Sequence, residues 1–146
     1  MPKQKALKAS DIRPAEANVG KEKAMNNVKK AILIIDDDVS ISRAFSRILE
    51  RNGYVTDTAE TGKEAMEKAQ TKIYAAALID ICLPDVNGNS LMNKLPQHNG
   101  RMVKIVITGF PMMAPKTKAD AYLVKPVKPE ELLLILKEKL ENYAVS

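Results

Sequence analysis

The sequence predicts an α/β fold, a five-stranded parallel sheet wound on both faces by helices. Three observations carry the prediction. Short apolar runs alternate with stretches whose apolar residues recur at helical spacing. The runs are continuous, as strands covered on both faces are. Four of them end in polar residues: 31–35 in Asp36-Asp37-Asp38, 75–79 in Asp80, 103–107 in Thr108, and 121–124 in Lys125-Pro126. In a parallel sheet those ends share one edge, the edge at which open α/β sheets bind ligands.

Each element has its own signature. Ala-Ile-Leu-Ile-Ile (31–35) is a short buried strand. Ile41, Ala44, Phe45, Ile48 and Leu49 then form one face of a helix, with Ser40 as its N-cap and Asn52-Gly53 as its stop. Residues 54–58 are a second strand. Residues 61–71 are a second helix with Ala65, Met66 and Ala69 inward, and 75–79 are the third strand. A loop through Pro84 and Gly88, with Asp85 as a turn residue, leads to a third helix near 90–95, stopped by Pro96. Strands at 103–107 and 121–124 follow. Pro129 suits the first turn of a closing helix that carries Leu132, Leu133, Ile135, Leu136 and Leu140. Five strands with helices on both faces suit the flavodoxin-like, doubly wound arrangement, expected strand order 2-1-3-4-5, and right-handed crossovers leave few other topologies. One crossover is irregular. Residues 110–119 are few, and Pro111 and Pro115 interrupt them, so the fourth helix is expected to be shortened or absent.

Composition bounds the function. The 146 residues suit one domain, and no apolar stretch reaches the length of a membrane span or a secretory core. One cysteine excludes an internal disulfide and fits a reducing, cytoplasmic setting. One histidine, His98, leaves no zinc cluster and reads as a surface loop residue. The net charge of +5 lies wholly in residues 1–30, which carry eight basic and three acidic side chains. The folded remainder is neutral, which gives no support to a basic nucleic-acid-binding face there. Residues 1–30 therefore read as a basic flexible extension and 31–146 as the domain, with Met25 a second candidate start.

The strand ends suggest a chemistry. Asp36, Asp37 and Asp80 side by side repel one another unless a cation neutralises them, and hard all-oxygen ligation suits Mg²⁺ or Mn²⁺. Lys125 and Thr108 suit phosphate oxygens, and Asp80 suits the nucleophile of a phosphoryl transfer.

Four segments sharpen this reading: Leu-Ile-Ile-Asp-Asp-Asp, Leu-Ile-Asp-Ile-Cys-Leu-Pro-Asp-Val-Asn-Gly, Ile-Val-Ile-Thr-Gly and Ala-Tyr-Leu-Val-Lys-Pro. In that order, each at a strand, they resemble the receiver domain of two-component response regulators over about residues 31–143. The resemblance implies Asp80 as acceptor of a phosphoryl group from a sensor histidine kinase or phosphorelay protein. It implies Asp37 as a direct Mg²⁺ ligand, Asp36 as its acidic partner and the backbone carbonyl of Cys82 as a third ligand. It further implies Lys125 as the phosphate's ion-pair partner, a cis Lys125–Pro126 bond, and Thr108 with Tyr122 as the pair that couples phosphate to output.

Plainer roles stand beside these. Asp38 reads as a helix-start residue, Cys82 as a semi-buried filler, Met112-Met113 as core filler, and Tyr122 alone as a strand residue. The functional expectation is a phosphorylation switch without enzymatic turnover of a separate substrate. No DNA-binding or effector domain is expected beyond Ser146, so the expected output is to a downstream protein target, from a monomer or weak dimer. The alternative is a phosphorylation-independent interaction module of the same fold, which would need none of the acidic and Lys positions. A haloacid dehalogenase-type enzyme would want a second Asp where Cys82 stands. A nucleic-acid contact through the basic extension is a weaker alternative.

Overall fold

The structure, a computed structural model, describes residues 28–96, 102–110 and 119–145. The basic extension up to residue 27, His98, and the segment 111–118 on which the shortened fourth helix was expected lie outside the described residues. The elements run β1 (Ala31–Ile35), α1 (Val39–Arg51), β2 (Val55–Ala59), α2 (Gly62–Thr71), β3 (Ala76–Asp80), α3 (Gly88–Lys94), β4 (Val103–Thr108), β5 (Ala121–Val124) and α4 (Pro129–Val145). All strand pairs are parallel and the order is β2-β1-β3-β4-β5. The expected doubly wound sheet is therefore present. No described helix is long and apolar enough to cross a membrane.

Side-chain alternation along the strands divides the core into two layers. Leu33, Ile35, Ala77, Ile79 and Val106 face the layer that contains Ala65, Ala69, Leu91 and Met92 of α2 and α3. Ile32, Ile34, Leu78, Ile105, Ile107 and Leu123 face Phe45 and Leu49 of α1 and Leu132, Leu136 and Leu140 of α4. Each large aliphatic side chain so buried contributes roughly 1.5–3 kcal/mol.

The helix ends refine the sequence reading. Asp38, not Ser40, caps α1, because its carboxylate accepts from the amides of Ser40 and Ile41. Asn52 closes that helix and Gly53 follows at φ +94°, a conformation open to glycine. Ser42 is buried where Ala44 was expected inward, since its hydroxyl reaches back to the Asp36 carbonyl at 3.4 Å. Thr61 caps α2 by accepting from the Glu64 amide. The third helix begins at Gly88, earlier than expected. Asn87, read as part of the loop, caps it by accepting from the Asn89 amide at 2.7 Å.

Candidate functional site

The sheet brings the polar strand ends together at its carboxyl edge. β1 and β3 are neighbours with Ile35 opposite Ile79, so Asp36 and Asp80 emerge side by side. Carboxylate oxygens of Asp36, Asp37 and Asp80 all lie within 4.8 Å of one another. Asp36 and Asp80 are buried, and Asp37 stands exposed at the mouth. Lys125 enters from the end of β5. Its ammonium donates to Asp36 Oδ2 at 2.9 Å and to Asp80 Oδ2 at 3.3 Å. The Lys125 amide donates to the Thr108 carbonyl at 2.8 Å, which holds the β5 end against β4. The Lys125–Pro126 bond is cis.

Charge balance in the crevice is tight. Burial pushes the Asp80 carboxyl up, the Cys82 amide at 3.2 Å opposes this, the Asp36 charge adds to it, and Lys125 works against it; the net direction is upward. Burial alone would lower Lys125, but the bonds and charges of Asp36 and Asp80 outweigh that and hold it above its ordinary value. One ammonium among three carboxylates leaves negative charge uncompensated. A hard cation with oxygen ligands fits this donor set.

Thr108 lies at the end of β4, one step beyond the residue paired with Asp80. It is buried, and its hydroxyl accepts from the Phe110 amide at 2.9 Å. Tyr122 sits on β5 opposite Val106. The residue is 41% exposed and its hydroxyl accepts from the Ala119 amide at 3.2 Å, so here it lies at the surface. Cys82 is exposed and not semi-buried, because it begins the loop that leaves β3 at the open edge. Its backbone pairs with Asn87 across that loop.

Three residues gain importance that the sequence did not reveal. Gly88 packs so closely on β3 that an added Cβ would lie 2.3 Å from the Asp80 carbonyl oxygen. The Asn-Gly step before an amphipathic stretch was the available signal. Asp85, read as a turn residue, accepts from the amides of Gly62 and Lys63 at 2.8 and 2.9 Å. Those bonds hold its carboxyl below the ordinary range, and no local pattern announces a contact across more than twenty residues. Lys104 is a lysine buried within β4. Its ammonium donates to the Met92 carbonyl near the end of α3 at 2.8 Å, and burial lowers its pKa.

The family model described as response regulator receiver domain matches residues 32–137. The chain is 33% identical over 120 residues to the transcriptional regulatory protein SrrA of Staphylococcus aureus, covering 76% of this chain and 48% of SrrA. It thus spans about half the length of the curated relatives it matches. A CheY-like response regulator receiver domain protein from Methanospirillum hungatei JF-1 superposes with a TM-score of 0.72 at 38% identity, over 81% of this chain and 98% of that one. The receiver domain of the sensor histidine kinase PA1611 from Pseudomonas aeruginosa PAO1 shares the fold, with a TM-score of 0.71 at 24% identity over 78% and 99% of the two chains. That structure has a magnesium ion coordinated in its active-site cleft.

Proposed function

The chain belongs to the response regulator receiver domain family, and from that premise we propose that it is a phosphorylation switch whose phosphoacceptor is Asp80. The phosphoryl donor is the phosphohistidine of a sensor histidine kinase or a phosphotransfer protein, and Mg²⁺ is the required cofactor. The observation that carries this reading is the convergence of Asp36, Asp37 and Asp80 within 4.8 Å, with Lys125 bonded to two of them.

Asp37 at the mouth, Asp36 behind it and Asp80 would hold the ion, with the Cys82 carbonyl as a further oxygen donor. When bound, Mg²⁺ neutralises the carboxylates and shields the anionic phosphoryl group as it approaches. Asp80 supplies the nucleophilic oxygen. A bond forms from that oxygen to phosphorus, the P–N bond of the phosphohistidine breaks, and its electron pair leaves with the imidazole nitrogen. Lys125 already touches Asp80 and is free to exchange a carboxylate contact for a phosphate oxygen. The Cys82 amide orients the Asp80 carboxylate through Oδ1. Thr108 would donate its hydroxyl to the phosphoryl group, giving up the Phe110 amide, and Tyr122 would turn inward behind it. The output is then a changed protein-binding surface for a downstream target.

Incubation with Mg²⁺ and a small acyl phosphate, read by intact mass, tests the proposal. Wild type is expected to gain one phosphoryl group, and Asp80→Asn and chelator-treated protein none. A wild type that stays unmodified where ordinary receivers react would point to a phosphorylation-independent interaction module.

A further inference from the structure

The loop that follows Asp80 is held at more places than its length requires. Its two ends are joined, since Cys82 pairs with Asn87 and the Gly88 amide donates to the Ile81 carbonyl at 2.9 Å. The four residues between them are also fastened to another element. Asp85 accepts from the first two amides of α2, those of Gly62 and Lys63. Beside it, Val86 packs onto Gly62 so tightly that a Cβ on Gly62 would lie 2.2 Å from Val86 Cγ1. A hydrogen-bonded pair and a steric fit thus meet at the same place.

The start of α2 is itself tied to the acidic side of the crevice. Ala59, at the end of β2, accepts from the Asp36 amide at 3.0 Å. The Glu60 amide donates to Glu64, and Thr61 caps the helix. A closed circuit therefore runs from Asp36 through the β2–α2 turn to Asp85 and back along the loop to Cys82 and Asp80.

We propose that Asp85, seated against Gly62, is a positioning residue for the metal: it fixes the loop so that the Cys82 carbonyl faces the carboxylates of Asp36, Asp37 and Asp80. This rests on the reading of the crevice as a Mg²⁺-dependent phosphoacceptor site. Asp85 touches neither metal nor phosphate. It acts through the loop, as outer residues commonly do when they orient a ligand, and loss of such contacts costs roughly 10–100-fold in metal affinity. The effect falls on Mg²⁺ binding and leaves the nucleophile and Lys125 intact.

The test measures the Mg²⁺ dissociation constant by amide chemical shifts, and the Mg²⁺ dependence of phosphorylation by an acyl phosphate. Asp85→Ala is expected to raise both Mg²⁺ constants roughly 10-fold while the rate at saturating Mg²⁺ stays within about twofold of wild type. Gly62→Ala pushes the same loop from the other side and is expected to do likewise. Adding Val86→Ala to Gly62→Ala removes the colliding methyl and restores the wild-type constants. Wild-type Mg²⁺ constants in both Asp85→Ala and Gly62→Ala, or no rescue by Val86→Ala, would overturn the inference. A wild type that binds Mg²⁺ but takes no phosphoryl group would sink the phosphoacceptor reading instead, and the shift titrations would still judge Asp85.

Discussion

The two ends of the crevice wall differ in how much of their structure is committed. At β1 and β3, Asp36 and Asp80 are buried and share Lys125, the Cys82 amide is bonded to Asp80, and the loop beyond is tied to α2. At β4 and β5 the only deeply buried polar side chain near the edge is Thr108 among the described residues. Its neighbours Phe110, Tyr122 and Val124 are 60%, 41% and 49% exposed. In the proposed transfer, bond formation at Asp80 would need groups fixed before the donor arrives, because positioning and charge neutralisation are most of what a protein contributes to phosphoryl transfer. A surface that must change on phosphorylation needs the opposite. Exposed apolar side chains are cheap to move and available to a partner.

Removing groups from the committed side has the largest expected effects. Lys125→Ala should slow phosphorylation at saturating Mg²⁺ by roughly 100-fold, the order expected for a lost charge-stabilising donor. A stopped-time assay by intact mass measures it, and a rate within twofold of wild type would remove Lys125 from the chemistry. Gly88→Ala should cost about 3 kcal/mol in urea denaturation, because its Cβ meets backbone at 2.3 Å and neither side can yield without moving β3.

Two carboxylates sharpen the contrast through opposite pH dependences. Asp80 is raised, chiefly by burial, so its ionised form strains the metal-free fold. That stability is present while it is protonated and is lost as pH rises through its raised value. Asp80→Asn should therefore raise the melting temperature of metal-free protein at neutral pH, with the gain vanishing on acidification. Asp57, on β2 away from the crevice, is lowered, first by its bond to Lys72 at 2.9 Å and also by the Tyr74 hydroxyl at 2.7 Å. Its contribution is present above the ordinary carboxylate range and is lost as pH falls through its depressed value. Asp57→Asn should cost about 1 kcal/mol or less at neutral pH, since the pair is partly solvated, and nothing in acid. Equal signs for the two variants would contradict the assignment. The smallest effect belongs to Tyr122→Ala, which should change stability by no more than about 0.5 kcal/mol and leave the phosphorylation rate unaltered.

Most of the fold was legible because buried parallel strands and amphipathic helices have different periods, and because Asp36, Asp80, Thr108 and Lys125 all follow apolar runs. Parallel order then brings them to one edge without further information. What stayed hidden depends on contacts between distant residues. Asp85 looks like a turn residue until α2 is seen across the loop, and Gly88 looks like a loop glycine until it packs on Asp80. Asp38 and Ser40 both suit a helix start, and only the backbone path decides between them. Lys104 reads as one polar residue in an apolar run, and its bond to the Met92 carbonyl depends on where α3 ends.

Chemical mapping of the phosphoryl group bears most directly on the central claim that Asp80 forms an acyl phosphate in a metal-loaded crevice. Protein treated with acyl phosphate and Mg²⁺ is reduced with borohydride, which converts an aspartyl phosphate to homoserine, and its peptides are then sequenced by mass spectrometry. The account predicts homoserine at position 80 and none when Mg²⁺ is chelated. Homoserine at position 36, 37 or 38, or at position 80 regardless of Mg²⁺, would contradict it.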